Sequence, residues 1–285
     1  MQVRRFSAEH VFVNLTQMRP IIIMEKLNYV PLKIIMRFQE TDLAIGTAFF
    51  YRYLQNTHLV TNWHNVTGRN PKSKQPLSPH GCTPDRIVLG VPERSEKDGQ
   101  TCVLWRWRTV QLYEDDEREK PVWHEHPTYR EAVDVVTIPI AGIEETAVIP
   151  ANDPSLDLDN VRLYPSLDVF VLGFPRGMSG GAHLPIWKRG SIATEPDVDV
   201  DGMPKLFIDT ATREGMSGSP VYAQEVGYWI PEDKTDPQDA VFGKGRRFIG
   251  IYSGRVGDDS FQAQLGIVWK PSVIEDIVKH SESAI

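Results

Sequence analysis

Residues 213–221 read REGMSGSPV, and the rest of the chain can be interpreted as support for the serine in this stretch. A serine hydroxyl is a weak nucleophile at neutral pH, so an active one needs a neighbouring base and donors that hold the oxyanion. Gly215 and Gly218 flank the candidate nucleophile Ser217, and glycine permits backbone angles that turn amides toward one point. We expect the amides of Gly215 and Ser217 to line an oxyanion hole. A short motif alone is only a hypothesis. The alternative interpretation of this stretch is a glycine-rich hairpin in which the serine has no catalytic role.

Two motifs upstream supply partners for this serine. Residues 60–66, VTNWHNV, place His64 after an apolar, β-prone run, and residues 133–138, VDVVTI, place Asp134 inside another. The order along the chain is therefore His, Asp, Ser. This is the order of the chymotrypsin arrangement, whereas α/β-hydrolases run Ser, Asp, His and subtilisins run Asp, His, Ser.

With these three motifs, the sequence resembles the chymotrypsin-like (trypsin-like) serine peptidases, specifically the bacterial type that lacks disulfides. The matching patterns are TNxHxV around His64, DVVxI around Asp134 and GxSGxP around Ser217, and the resemblance covers nearly the whole chain. It implies that His64 is the general base, that Asp134 orients it, and that Ser217 attacks a peptide carbonyl. A protein or peptide substrate is the implied partner, and no cofactor or metal is implied.

The predicted fold class is all-β, with two antiparallel six-stranded β-barrels and a C-terminal α-helix. Short runs of alternating apolar residues with local turns indicate such barrels. We expect an N-terminal extension over 1–23, a first barrel over 24–145 with His64 and Asp134, and a second barrel over 146–285 with Ser217 and the helix. Residues 227–245, rich in Pro and Asp, are predicted to form a surface loop.

Composition and charge limit the possible classes of protein. The chain has 285 residues, of which 41% are hydrophobic and 24% charged, as in an ordinary soluble globular protein. A net charge of -7 gives no indication of a nucleic-acid partner. No apolar run approaches the length of a membrane span, so no membrane partner is expected. Oligomeric state is left open.

The two cysteines, Cys82 and Cys102, allow one disulfide at most. Asn65 follows His64 where secreted relatives carry a cysteine, and the apolar cluster near the N-terminus is too short for a signal-peptide core. A chain with so few cysteines is typical of a reducing compartment. We therefore expect a cytoplasmic protein.

The resemblance also suggests residues that bind the substrate. No carboxylate stands where a Lys or Arg side chain would be bound, so we expect a preference for small or apolar residues first and acidic residues second. Met216 replaces the aspartate that pairs with a newly cut N-terminus in secreted trypsins, so activation by that route is not expected. The predicted pocket and edge-strand residues are Ala211, Thr212, Ser253, Gly254, Arg255 and Gly266.

Two other motifs have to be weighed against this interpretation. Residues 177–181, GMSGG, match the GxSxG nucleophile elbow, with Ser179 as the serine. That elbow needs a helix directly after it, and no helical periodicity begins there. His124 and His126 form a His-x-His pair, but no third ligand lies within sequence reach, so a loop role is favoured over a metal site.

Two rival functions remain open on the same fold. A catalytically silent binding domain would usually have lost a triad residue, and none is lost here. An esterase is harder to separate, because ester cleavage uses the same acyl-enzyme intermediate.

Overall fold

The computed structural model describes residues 12–13, 24–78, 81–97, 100–142, 146–256 and 264–283. Within these ranges the chain is mostly β, with two antiparallel sheets followed by a C-terminal helix. The predicted all-β class with two barrels and a terminal helix is confirmed. The side chain of Cys102 lies outside the described residues, so the predicted limit of one disulfide stays a prediction.

The first sheet contains the strand that ends shortly before His64, at Thr61, and most of the N-terminal half of the chain. Its order is β1-β6-β5-β2-β3-β4-β7. The two edges approach each other through the segment after β6, because His124 pairs with Thr137 on β7 and the Val122 amide donates to the Leu112 carbonyl at 3.0 Å. The strands are β1 (Phe12–Val13), β2 (Pro31–Phe38), β3 (Thr41–Tyr53), β4 (Asn56–Thr61), β5 (Arg86–Lys97), β6 (Gln100–Gln111) and β7 (Val136–Ile140).

The second sheet closes into a six-stranded barrel with the order β10-β13-β12-β11-β8-β9. Closure removes free sheet edges, which suits a small antiparallel domain. The strands are β8 (Asp168–Gly173), β9 (Ile186–Ile192), β10 (Lys205–Asp209), β11 (Pro220–Trp229), β12 (Val241–Arg255) and β13 (Leu265–Trp269).

The terminal helix α2 (Pro271–Ser283) packs over the junction of the two sheets. Its apolar side, Ile274, Ile277 and Val278, is fully buried, as the sequence periodicity predicts. The same apolar cluster contains side chains from both sheets, including Val60 of β4 and Ile251 of β12. The helix therefore contributes apolar contacts that hold the two sheets in a fixed relation.

Two local predictions are wrong. Residues 227–245 are not one loop, because β11 and β12 continue through both ends of this range as a long hairpin. Its outer part is held by backbone pairing while Val226, Tyr228 and Phe242 stay 73–75% exposed, so burial leaves no clear periodicity in the sequence. Asp134 lies just before β7 rather than inside a strand.

At the N-terminus, β1 pairs with β6, so Phe12–Val13 belongs to the first sheet. The rest of the predicted extension, 1–23, lies outside the described residues. Neither α-helix in the described ranges combines the length and the apolar character that crossing a bilayer requires.

Candidate active site

His64 is presented by the short helix α1 (Trp63–Thr67), which begins two residues after β4 ends. The helix stops because Gly68 adopts a left-handed conformation with φ of 64° and returns its amide to the His64 carbonyl at 2.9 Å. Such a glycine cap is a common end for a helix. The imidazole is thus attached to a rigid strand-to-helix junction and is 14% exposed.

The Asp134 carboxylate holds this histidine through two contacts. Its Oδ2 lies 2.7 Å from Nδ1 of the His64 ring, and its Oδ1 accepts the His64 backbone N–H at 2.9 Å. The Ser253 hydroxyl donates to Oδ2 at 2.5 Å, and the Asn62 side-chain amide donates to the Asp134 carbonyl at 2.7 Å. A buried carboxylate of this kind is satisfied by hydrogen bonds. With the proton on Nδ1, Nε2 of His64 is left as an acceptor.

The loop that carries Ser217 needs glycine on both sides. Gly215 and Gly218 have φ of 87° and 88°, in the left-handed region that favours glycine. A Cβ at Gly215 would clash with the Phe174 carbonyl oxygen, and one at Gly218 would clash with the Thr47 carbonyl oxygen. The motif GxSG is therefore required by backbone angle and by space.

The amides of Gly215 and Ser217 donate no hydrogen bond to any other residue that the structure describes. The carbonyl on the other side of each peptide is fixed: Glu214 accepts from the Arg176 amide at 2.6 Å, and Met216 accepts from the Ser219 amide at 3.0 Å. In a trans peptide the N–H points away from the C=O. Both amides are therefore directed away from these partners and remain available as donors.

The first barrel holds this loop through a buried polar network. The Thr47 amide donates to the Ser217 carbonyl and the Thr47 hydroxyl donates to the Gly215 carbonyl, both at 2.8 Å. The Asn65 side-chain amide reaches the Ser217 carbonyl at 3.3 Å and the Thr61 hydroxyl at 2.9 Å. The Thr61 hydroxyl in turn donates to the Thr47 carbonyl. Sequence analysis missed the roles of Thr47 and Thr61. The only sequence signal for these roles is that each is a polar residue at a buried position of a strand.

His64, Gly215 and Ser217 line one cavity of about 720 Å³. The structure thus joins His64 to Asp134 by hydrogen bonds and brings Ser217 to the same cavity. Within the described ranges, the Ser217 hydroxyl and the imidazole are not hydrogen-bonded to each other. Such contacts are often long without substrate and tighten in the complex.

The predicted pocket residues Thr212 and Gly266 both lie against the side chain of Tyr252. The buried Thr212 hydroxyl is hydrogen-bonded to the Tyr252 hydroxyl, and a Cβ at Gly266 would lie 2.6 Å from Cε2 of Tyr252. The Tyr252 side chain therefore spans from Gly266 to Thr212, while Ala211 is exposed. Burial raises the pKa of Tyr252 to about 12, although the Thr212 hydrogen bond and the Arg255 charge act in the opposite direction. The phenol stays neutral at ordinary pH.

Among the residues that the structure describes, the predicted edge strand, Ser253 to Arg255, is paired on one side only. On one side, Gly254 and Arg255 pair with β13, after a register shift that follows Tyr252. On the other side, pairing with β11 ends at Ile251. Ser253 has a second role that the sequence did not predict, because its hydroxyl contacts Asp134.

The two other sequence motifs, around Ser179 and around His124 and His126, lie outside the named strands and α-helices. Ser179 lies between two single-turn 3-10 helices, Pro175–Gly177 and Gly181–His183, and no α-helix follows it before β9. His126 accepts backbone amides from the turn that follows it, and its Nε2 lies 3.6 Å from Asp276 of α2. In the part of the chain that the structure describes, no three His, Cys, Asp or Glu side chains are grouped as metal ligands would be.

No protein-family model and no curated protein matches the chain. Its structural neighbours are serine proteases. Rv3671c from M. tuberculosis H37Rv, in an inactive form, has 14% identity and a TM-score of 0.45, over 90% of this chain and 88% of that one. A serine endoprotease from Yersinia pestis has 11% identity and a TM-score of 0.47, over 92% and 67%. The HtrA-type protease AlgW, bound to a tripeptide, has 14% identity and a TM-score of 0.47, over 90% of this chain and 64% of its own.

Proposed function

We propose that this chain, folded as two chymotrypsin-like β-barrels, is a serine endopeptidase in which His64, Asp134 and Ser217 form the catalytic triad. The observation that carries the proposal is the buried Asp134 carboxylate, which binds both the ring Nδ1 and the backbone N–H of His64 beside the cavity that Ser217 lines. In this proposal the base and the nucleophile come from two units, 24–145 and 146–285.

The proposed mechanism uses each group in turn. Nε2 of His64 takes the proton from the Ser217 hydroxyl as its oxygen attacks the scissile carbonyl, and the same proton passes to the departing amine. Asp134 keeps the imidazole in the tautomer with hydrogen on Nδ1 and stabilises its charged form. Water then attacks the acyl-enzyme with His64 again as base, and Ser217 is released.

The free amides of Gly215 and Ser217 support the proposal for the oxyanion. Each belongs to a peptide whose carbonyl is already fixed, by Arg176 and Ser219 respectively. Donors that are fixed before the reaction cost no reorganisation when negative charge develops on the carbonyl oxygen. Removing one such donor in a serine protease costs about 100- to 1000-fold in rate.

A fluorophosphonate probe tests the proposal directly, because it reacts with an activated serine. We expect labelling at Ser217, its complete loss in Ser217→Ala, and wild-type labelling in the matched variant Ser179→Ala. Circular dichroism of Ser217→Ala should match the wild type. Labelling that survives in Ser217→Ala, or is lost in Ser179→Ala, would rule out the assignment.

Cleavage of a peptide library separates the peptidase from its rivals. A peptidase releases new peptide termini, an esterase hydrolyses only activated esters, and a silent binding domain does neither. Labelling without any peptide cleavage would favour the esterase.

A further inference from the structure

The cavity beside Ser217 is lined mainly by apolar side chains of the first barrel. They come from β2, from the start of β3 and from the loop that follows α1. Two of them, Ile45 and Leu77, are 36% and 51% exposed. Burying such groups against an apolar ligand is favourable. The apolar lining residues are Met36, Leu43, Ala44, Ile45, Leu77 and Pro84.

The position of this cavity relative to His64 and β12 identifies which part of a substrate enters it. It is lined by His64 and by Arg176 and Glu214, but by no residue of β12. In the proposed mechanism β12 pairs with the acyl part of the substrate along its open edge at Ser253 to Arg255, and His64 passes its proton to the departing amine. The cavity therefore lies on the side of the departing amine.

The predicted pocket for the acyl part of the substrate has less room, because the Tyr252 side chain already extends from Gly266 to Thr212. The large apolar volume lies instead beyond His64. The two charged residues on its lining, Arg176 and Glu214, are exposed and opposite in sign, so water screens them and they favour neither charge.

We propose that this cavity binds a large apolar side chain, such as that of Leu, Met or Phe, on the residue that follows the scissile bond. The inference rests on the proposed function, since it assigns a role to one side of that site. The protein would then discriminate more strongly among residues that follow the scissile bond than among residues that enter the predicted pocket around Thr212.

Acyl transfer to added amines measures the preference for the departing residue separately from the preference for the acyl part. An activated ester first acylates Ser217, and an amino-acid amide then competes with water. The amine nitrogen bonds to the acyl carbon, the bond from that carbon to Ser217 Oγ breaks, and His64 moves the amine proton to Oγ. Because this step reverses peptide cleavage, the preferred amine reports the preferred departing residue.

We expect leucine and phenylalanine amides to be acylated about tenfold or more in preference to alanine amide, as for an apolar pocket that discriminates by several methylene groups. Ile45→Asp and Leu77→Asp should each lower the leucine-to-alanine ratio toward one. Val226→Asp, which changes an equally apolar but distant residue of the outer β11–β12 hairpin, should keep the wild-type ratio.

The outcomes separate the two proposals. Equal transfer to leucine, alanine and aspartate amides by a protein that fluorophosphonate labels at Ser217 would overturn this inference and leave the proposed function intact. A wild-type ratio in both Ile45→Asp and Leu77→Asp would also overturn it. Absence of labelling and of acylation would overturn the proposed function itself.

Discussion

The backbone amide of Thr47 donates a hydrogen bond of 2.8 Å to the carbonyl oxygen of Ser217, and the two residues belong to different barrels. The hydroxyl of the same threonine binds the Gly215 carbonyl at 2.8 Å. One residue of β3 therefore fixes the nucleophile loop at two points, on either side of Met216. Because Thr47 is fully buried, these bonds do not compete with water, and the position of the loop depends on how the two barrels meet.

Replacing Thr47 with Val keeps its shape and removes its hydroxyl. The Gly215 carbonyl then loses a buried partner, which costs about 1–3 kcal/mol, and the peptide that precedes the proposed donor is less firmly fixed. We expect Thr47→Val to lower the rate of fluorophosphonate labelling more than about tenfold. Thr47→Ser keeps the hydroxyl and should retain most of the rate. Equal rates in the two variants would contradict a positioning role for the hydroxyl.

Asp134→Asn tests the orientation of the imidazole. Asparagine fits the same space, but its amide presents hydrogen toward Nδ1 and favours the wrong tautomer of His64. We expect kcat on a cleaved peptide to fall about 10⁴-fold, with an unchanged circular dichroism spectrum. Ser253→Ala, which removes only one donor to the carboxylate, should cost far less. A small effect of Asp134→Asn would argue against the triad.

Gly218→Ala tests whether the loop depends on backbone angle and space. Its φ of 88° is unfavourable for alanine, and the added methyl would meet the Thr47 carbonyl, which belongs to a paired strand and cannot move far. We expect a loss of about 1–3 kcal/mol in unfolding free energy, measured by urea denaturation. Gly227→Ala serves as the control, since its φ is also positive but its Cβ would have open space. A larger loss in the control would contradict the steric argument.

Acid should weaken the fold through His58. This side chain is fully buried, and its Nε2 lies 3.3 Å from a carboxylate oxygen of Glu282 on α2. Burial and the charge of His124 lower the pKa of His58 below 6.5, against the opposing effect of Glu282. The unfolded chain therefore takes up the proton first, so stability is complete above about pH 6.5 and falls as pH drops through the lowered value.

The melting temperature measured from pH 8 to 5 checks this expectation. We expect it to fall below about pH 6.5, and His58→Gln should flatten that part of the curve. His183→Gln changes an exposed histidine and should leave the curve unchanged. His124 and His126 have pKa values lowered mainly by burial, so some acid sensitivity should survive in His58→Gln. A curve that is identical in His58→Gln and the wild type would contradict a role for this histidine.

Much of the site was predictable because its requirements are local. Ser217 needs glycine on both sides for reasons of backbone angle, and His64 needs a rigid turn after a strand, so both leave short motifs. Thr47 left none, because the Gly215 carbonyl that it contacts lies far along the chain. The outer β11–β12 hairpin was missed for a different reason, since most of its apolar side chains, Val226, Tyr228, Val241 and Phe242, stay exposed.

The sequence by itself determined the all-β class, the chain order of histidine, aspartate and serine, and the glycines around Ser217, because strand periodicity and left-handed backbone angles are imposed by neighbouring residues. Only the tertiary structure decided that the Asp134 carboxylate meets His64, that Thr47 holds the nucleophile loop, and that Tyr252 extends across the predicted pocket. These relations join residues that are distant in the chain. Their distances follow from how the two sheets and the helix α2 pack around the apolar cluster that they share.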